Sequence, residues 1–284
     1  MQKEDNIKKV EKILKDNKKK SVVMLAPSFV IDFSYPEIIS MLKKLGFDKI
    51  VEVTFGAKMI NREYHDILKN SKEMKISSVC PGVVDFIRNK YPQYRENLIK
   101  VDSPMVAMGK ICKKTYKRYK VVFISPCDFK KKEAKESKYV DYVLDFGELD
   151  RLFKKEEIKS SKKKIHFDKF YNDYTKIYPV SGGLFKTAHL KGIVKKRQVK
   201  IKDGFSDVIK ILKKNPEKKY KFLDVTFCPG GCIGGPCVIS DKKIKKRKKD
   251  VRDYLNKAKR EDIPESRKGL IEYAKGLNFR KTGF

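Results

Sequence analysis

Long apolar runs are absent from this 284-residue chain. None approaches the ~20 residues a membrane-spanning helix needs, so no membrane anchor is expected. A secretory leader is also absent: Met1-Gln2-Lys3-Glu4-Asp5 opens a charged segment with no apolar stretch behind it, and a cytoplasmic location is expected. Histidine is scarce. His65, His166 and His189 are scattered without metal-ligand spacing, so none is assigned a role. Acidic side chains are few, 36 against 69 Lys and Arg, for a formal net charge of +33. That balance points to an acidic partner, whether nucleic acid, an anionic membrane face or a protein; lysine bias spread over solvated helix faces is the alternative. With neither a nucleic-acid-binding motif nor an Arg-rich recognition helix, nucleic acid ranks last. Cysteine is limited to positions 80, 112, 127, 228, 232 and 237, and nothing marks the chain as secreted, so these read as reduced thiols or metal ligands.

What is present is apolar patterning in a chain long enough for one large domain or two lobes. Residues 5–19 read as an exposed basic helix with Ile7, Val10, Ile13 and Leu14 on one face. Strands are expected at 21–25, 49–54, 76–79, 120–125, 139–144 and 221–227, the last in the chain. Helices are expected at 36–45, 58–70, 81–90, 103–114, 147–154, 181–189, 205–214, 241–258 and 263–276. This alternation argues for α/β architecture with mainly parallel sheets flanked by helices. Residues 1–20 form an N-terminal basic helix, 21–240 the main domain and 241–284 a basic helical tail. The lysine-rich, weakly patterned stretch 155–177 marks a lobe boundary near 140–177.

The chemistry gathers in Phe227-Cys228-Pro229-Gly230-Gly231-Cys232-Ile233-Gly234-Gly235-Pro236-Cys237. Cys228 and Cys232 are four apart, so one helical turn would put both sulfurs on one face. The glycines let backbone fold tightly round a bulky group. A sulfur-bound metal centre follows, and iron–sulfur suits this spacing better than zinc. Cys80, Cys127 and Cys228 each fall just past the carboxyl end of an expected strand, where open α/β sheets bind ligands. Three distant loops are therefore expected to meet at one place, with Cys232 as a fourth ligand.

These settings resemble the catalytic, H-cluster domain of FeFe-hydrogenases. The carrying motifs are Ser77-Ser78-Val79-Cys80-Pro81, Ser125-Pro126-Cys127-Asp128-Phe129-Lys130-Lys131-Lys132-Glu133 and Cys228-Pro229-Gly230-Gly231-Cys232. Thr54-Phe55-Gly56-Ala57, Ser103-Pro104-Met105, Val140-Asp141-Tyr142-Val143-Leu144 and Tyr178-Pro179-Val180-Ser181-Gly182-Gly183 add to it in the family's order. The resemblance implies two lobes with the metal cluster between them. Cys80, Cys127, Cys228 and Cys232 would hold a 4Fe-4S cubane, Cys232 bridging to a two-iron unit with CO, cyanide and dithiolate ligands. It further implies that Lys130 donates to one cyanide, anchored by Glu133, that Ser28 in Ala26-Pro27-Ser28 serves the other, and that Pro126 and Ser181-Gly182-Gly183 pack at the cofactor. The implied reaction interconverts protons and electrons with hydrogen gas. Hydrogenase maturation proteins and an acidic ferredoxin are the implied partners, with the basic helix 241–258 a candidate docking face or a merely solvated one.

The pattern also departs from the family. Val79 stands where the most active members have a proton-relaying cysteine. Tyr64 and Ile67 occupy positions where relay glutamates align, and Ser125 and Thr226 stand in place of methionines. These changes resemble divergent, often sensory groups, and they leave proton delivery to another path. Cys237 reads as a substitute proton carrier or a small packed residue, and Cys112 as structural or a free thiol. The first twenty residues carry no cysteine, so no ferredoxin-like module is expected before residue 21. Three readings stand: a minimal hydrogenase, a hydrogen-sensing redox module with the same cofactor, and a cubane-only scaffold of iron–sulfur assembly.

Overall fold

The computed structural model describes residues 2–16, 18–160 and 165–283. Two parallel sheets organise it. The first has β1 (Ser21–Leu25), β2 (Lys49–Glu52), β4 (Lys120–Ser125) and β5 (Tyr142–Asp145) in the order β2-β1-β4-β5. The second has β3 (Lys75–Ile76), β6 (Val199–Asp203) and β7 (Phe222–Thr226) in the order β3-β7-β6. In the first, Val23 pairs with both Ile50 and Val122, which makes β1 an interior strand and explains its unbroken apolar run.

The ten helices among the described residues are α1 (Gln2–Leu14), α2 (Glu37–Lys44), α3 (Thr54–Asn70), α4 (Pro81–Lys90), α5 (Pro104–Thr115), α6 (Phe129–Lys135), α7 (Phe146–Lys155), α8 (Gly183–Thr187), α9 (Phe205–Leu212) and α10 (Ile244–Ala258). Several starts are written locally. Pro81 and Pro104 sit at first helical positions, where proline costs no hydrogen bond. At α7, Asp145 accepts from the Glu148 N–H while Glu148 accepts from the Asp145 N–H, both at 2.8 Å.

The α/β class stands as expected, with corrections in detail. The helix expected from Lys58 begins a turn earlier, at Thr54. The N-terminal helix is not simply exposed: Val10 and Ile13 are buried, and Asn6 donates to the Val143 carbonyl of β5 at 3.2 Å. Residue 17 of the stretch 5–19 lies outside the described residues. Strand β6 was not anticipated. Its Lys-rich sequence lacks an apolar run because it is an edge strand, half-exposed along its length. The helix expected at 263–276 is instead two short 3₁₀ turns, Glu265–Arg267 and Ile271–Ala274. This tail is held by tertiary pairing, as Gly269 N–H donates to Tyr171 and Asp102 N–H to Phe279. Residues 161–164 of the proposed boundary stretch lie outside the described residues. Because β3 precedes that stretch yet joins the second sheet, no single cut in the chain separates the two sheets.

Candidate metal centre

Each cysteine motif is delivered by a strand end. Cys80 caps α4 four residues after β3, which is locked to β7: the Val225 N–H donates to Ser77 Oγ at 2.9 Å and the Ser77 N–H to the Leu223 carbonyl at 2.9 Å. Cys228 leaves that same β7 two residues beyond its end. Cys127 leaves β4, and its N–H is held by Ser125 Oγ at 3.1 Å. Beside it, the Ala26 N–H donates to Ile124 at 3.1 Å, which places the Ala26-Pro27-Ser28 loop at the same sheet edge.

The Cys228–Cys232 pair corrects one expectation. It is not a helical turn. Gly230 and Gly231 have φ of +79° and +91°, outside the helical region, and the Gly231 N–H closes a tight turn on Cys228 O at 2.9 Å. A Cβ on Gly231 would lie 2.6 Å from the Pro179 carbonyl oxygen, so only glycine permits this approach. The approach is used: Ser181 N–H donates to Gly230 O at 2.8 Å, and Val180 bridges to Gly231. The following segment is pinned to the Cys127 loop by Cys237 N–H on Pro126 O at 3.1 Å.

The result is one cavity between the sheets. Its wall carries Cys80, Cys127, Cys228 and Cys232 together with Ala26, Pro27, Ser28, Pro126, Lys130, Gly182 and Gly183. Val79, Ser125 and Thr226 also line it. Two expected residues stand back from the wall. Ser181 ties the 178–183 segment to the cysteine loop through its backbone, and Glu133 stands behind Lys130, whose Nζ donates to Glu133 Oε2 at 2.6 Å.

The electrostatics tie the four sulfurs to one another. Burial and then the neighbouring Cys80 push the Cys127 thiol up. Burial, Cys80 and Cys127 push Cys228 up to about 12. Cys232 is pushed higher still, first by burial and then by the other three. Cys232 also carries exposed surface. With protein packed closely enough to raise its thiol, that surface fits a sulfur facing the cavity rather than bulk water. The three raised thiols, Cys127, Cys228 and Cys232, are poor acids alone. A polycation in their midst supplies the charge that turns them into thiolates.

The wall fits a larger, ligand-bearing group in a second way. Ser28 Oγ, Tyr178 OH and Thr226 Oγ1 are buried on it without a hydrogen-bond partner. Buried polar atoms left unpaired each cost on the order of 1–3 kcal/mol, so an acceptor or donor inside the cavity would relieve them.

The remaining cysteines separate cleanly. Cys112 is fully buried inside α5, with its thiol pushed well up by burial. Cys237 is not an apolar packing residue: it bonds Asp128 and lies within 4.8 Å of Asp128 and Asp145. Lys131 already serves that acidic group, 3.0 Å from Asp145, 2.7 Å from Glu148 and 3.5 Å from Asp128, so a structural network accounts for it. Tyr64, at an expected relay position, is buried and hydrogen-bonded with Ser78 Oγ at 3.0 Å.

Sequence reading missed Asp224 and Tyr178 as wall residues. A signal existed for the first. Phe222, Asp224 and Thr226 share one face of β7, and an aspartate amid buried apolar neighbours is an anomaly that asks for a reason.

Comparison with known proteins agrees with this geometry. Iron hydrogenase 1 of Clostridium pasteurianum is 26% identical over 295 residues, covering 80% of this chain and 51% of that protein. The NADP-reducing hydrogenase subunit HndD of Solidesulfovibrio fructosivorans is 26% identical over 255 residues, covering 68% and 44%. The chain thus spans about half the length of these two relatives. The cytosolic Fe-S cluster assembly factor NAR1 of Encephalitozoon cuniculi is 23% identical over 236 residues, covering 74% and 64%. Among solved structures, an apo FeFe-hydrogenase HydA1 variant from Chlamydomonas reinhardtii superposes with a TM-score of 0.67 at 16% identity, covering 93% of this chain and 90% of that one. At that identity the likeness speaks for the fold. Since the model of the iron only hydrogenase large subunit, C-terminal domain, matches residues 19–236, most of the length that carries the four-cysteine cavity, the chain belongs to that family.

Proposed function

We propose that this chain is a hydrogenase catalytic domain that interconverts protons and electrons with hydrogen. The observation that carries the reading is what the cavity wall holds besides cysteine. A cubane alone needs four thiolates. Here a lysine 12% exposed and an unpartnered serine hydroxyl also line the wall, as an adjoining anionic unit would require.

In this reading Cys80, Cys127, Cys228 and Cys232 would hold a 4Fe-4S cubane, with Cys232 also the residue that would serve an adjoining two-iron unit with carbon monoxide, cyanide and dithiolate ligands. When bound, the H-cluster supplies the redox and hydrogen–hydrogen bond chemistry. The chain's own residues do the rest. Lys130 presents its ammonium to an anionic ligand while Glu133 holds it in place. Ser28 Oγ donates to a second acceptor. Pro27, Pro126, Gly182 and Gly183 shape a largely apolar wall around the cavity. Val79 carries no exchangeable proton, so protons must enter by another route, and turnover is slow unless that route is efficient.

Electrons enter from outside. Arg247 of α10 donates to the Ile233 carbonyl at 2.9 Å and to the carbonyls of Ser240 and Lys242, which fixes the basic helix against the Cys232 loop. Lys245, Lys246, Lys248, Lys249 and Arg252 of that helix are exposed. An acidic ferredoxin-like carrier fits this face, and steering by it would weaken with salt. Among the described residues no helix is long and apolar enough to cross a membrane. A cytoplasmic location and loading by maturation proteins belong to the same proposal.

The likeness to the assembly factor NAR1 favours a second reading, a cubane-only scaffold. One preparation tests both. The protein is made with hydrogenase maturation factors, purified without oxygen, and examined by infrared spectroscopy in the carbon monoxide and cyanide region and by hydrogen evolution. Bands with turnover support the hydrogenase. Bands with almost no turnover indicate a sensor. A brown protein without bands is a scaffold, and a colourless one overturns iron altogether.

A further inference from the structure

Apart from its cysteines, the cavity wall holds two side chains able to carry a full charge among the described residues, Lys130 and Asp224. The lysine has a partner in Glu133. The aspartate is different. It is 3% exposed, in the middle of β7, and the partner the structure gives it is a single backbone donor, the Phe185 N–H at 3.1 Å from Oδ2. Among the described residues no cation is bonded to it. The titratable groups that face it are Tyr64 from α3 and Tyr178 from the 178–183 segment. Tyr178 feels the charge of both Asp224 and Cys232, and its hydroxyl on the same wall is unpartnered. Thr226, one step along the same face of β7, adds a second unpartnered hydroxyl to the wall.

Solvent is one strand away. The register neighbour of Asp224 is Ile201 on edge strand β6, 37% exposed, and its side chain packs on Gly182 of the cavity wall. Neighbours in register on parallel strands project to the same face, so the half-exposed Ile201 side chain lies beside this acid on the solvent side of the sheet edge. A buried carboxyl between solvent and a reaction chamber, without a charge partner and beside free hydroxyls, is arranged to take up and give up a proton.

We infer that Asp224 is the proton-exchanging residue of this cavity, in the role that Val79 cannot fill. As the neutral acid it passes its proton to a base in the cavity and becomes a carboxylate. The carboxylate then takes a proton from solvent past Ile201 and the acid is restored, with no change in oxidation state at the side chain. Burial raises Asp224 to about 6, close to neutral operating pH, which suits exchange in both directions. The inference rests on the hydrogenase reading for the use of the proton, but not for the exchange itself.

The test therefore has two arms. In the first, the full chain made without maturation factors is titrated by infrared difference spectroscopy. A neutral-carboxyl carbonyl band that shifts in heavy water and vanishes with a midpoint near pH 6 is expected, absent from Asp224→Asn and present in Asp224→Glu. A band that persists in Asp224→Asn, or a midpoint below about 4 as for an ordinary aspartate, overturns the inference. In the second arm the loaded Asp224→Asn protein keeps the wild-type carbon monoxide and cyanide bands but loses at least tenfold in hydrogen turnover, with Asp224→Glu restoring part of it. Unchanged turnover overturns the proposed use. A wild-type protein without those bands sinks the hydrogenase reading, while the titration still decides whether Asp224 exchanges a proton.

Discussion

Lys130 Nζ lies 2.6 Å from Glu133 Oε2, one turn along α6, with side chains 12% and 11% exposed. The pair straddles the cavity wall: the lysine lines it and the glutamate stands behind. A charge-assisted bond of this kind fixes the ammonium while leaving other N–H bonds free to point inward.

Removing the ammonium should therefore strip the cavity of its cationic donor without touching the thiols. Lys130→Met is expected to keep cubane iron but lose the two-iron infrared bands or shift them. Hydrogen turnover should fall about 10- to 100-fold, the loss of one charged hydrogen bond worth about 1.5–3 kcal/mol. Glu133→Gln keeps a bond to Lys130 and should lose less. Iron analysis and infrared spectra of the two variants decide; equal damage from both would show that Glu133 does more than hold the lysine.

The cysteines separate by position. Cys232→Ala is expected to abolish the infrared bands. Cys112→Ala, which empties a small volume inside α5, is expected to keep them and cost on the order of 1 kcal/mol in stability. Loss of the bands in both variants would overturn the ligand assignment.

Asp224 gives a pH-dependent stability of known sign. Its folded-state value, about 6, is above the ordinary 3.8, so between these values the folded protein holds more protons than the unfolded. Stability of the cofactor-free chain then falls as pH rises through that window and the penalty is complete above it. Asp224→Asn removes the penalty. It is expected to stabilise the cofactor-free protein at pH 7 by as much as about 3 kcal/mol and to give no gain below pH about 4. Denaturant melts at both pH values check this.

Lys176 and Glu52 form a buried pair, 0% and 1% exposed, with Nζ 2.5 Å from Oε2. Tyr254 closes the triangle, accepting from Lys176 at 2.7 Å and donating to Glu52 at 2.8 Å, and its ring lies 4.3 Å from the ammonium. Lys176→Met strands a buried carboxylate and should cost about 3–5 kcal/mol. Adding Glu52→Gln should recover much of that loss. A double variant no better than the single would locate the cost in packing rather than charge.

Much of the site was legible because its geometry is local. Cys127 and Cys228 follow strands that apolar runs announce, Cys80 follows the short strand Lys75–Ile76, and sheets place ligands at such ends. The pairing of Lys130 with Glu133 came from the family resemblance, and the helix sets them one turn apart. Strand β6 could not be read, since an edge strand carries lysines where an interior one carries valines. Nor could the tail at 263–276, whose short turns depend on Tyr171 and Phe279 being within reach. The turn at Cys228–Cys232 was misread because spacing alone cannot tell a helix from a glycine turn with positive φ.

The sequence by itself determined the class of fold, the thiol set and the positions from which each thiol is presented, because strand ends, caps and prolines act over a few residues. Only the tertiary structure decided which side chains share a wall. Asp224 faces the cavity because β7 lies between β3 and β6, and Ser181 turns away because its N–H is claimed by Gly230. Those facts depend on contacts between segments distant in the chain, which no local pattern encodes.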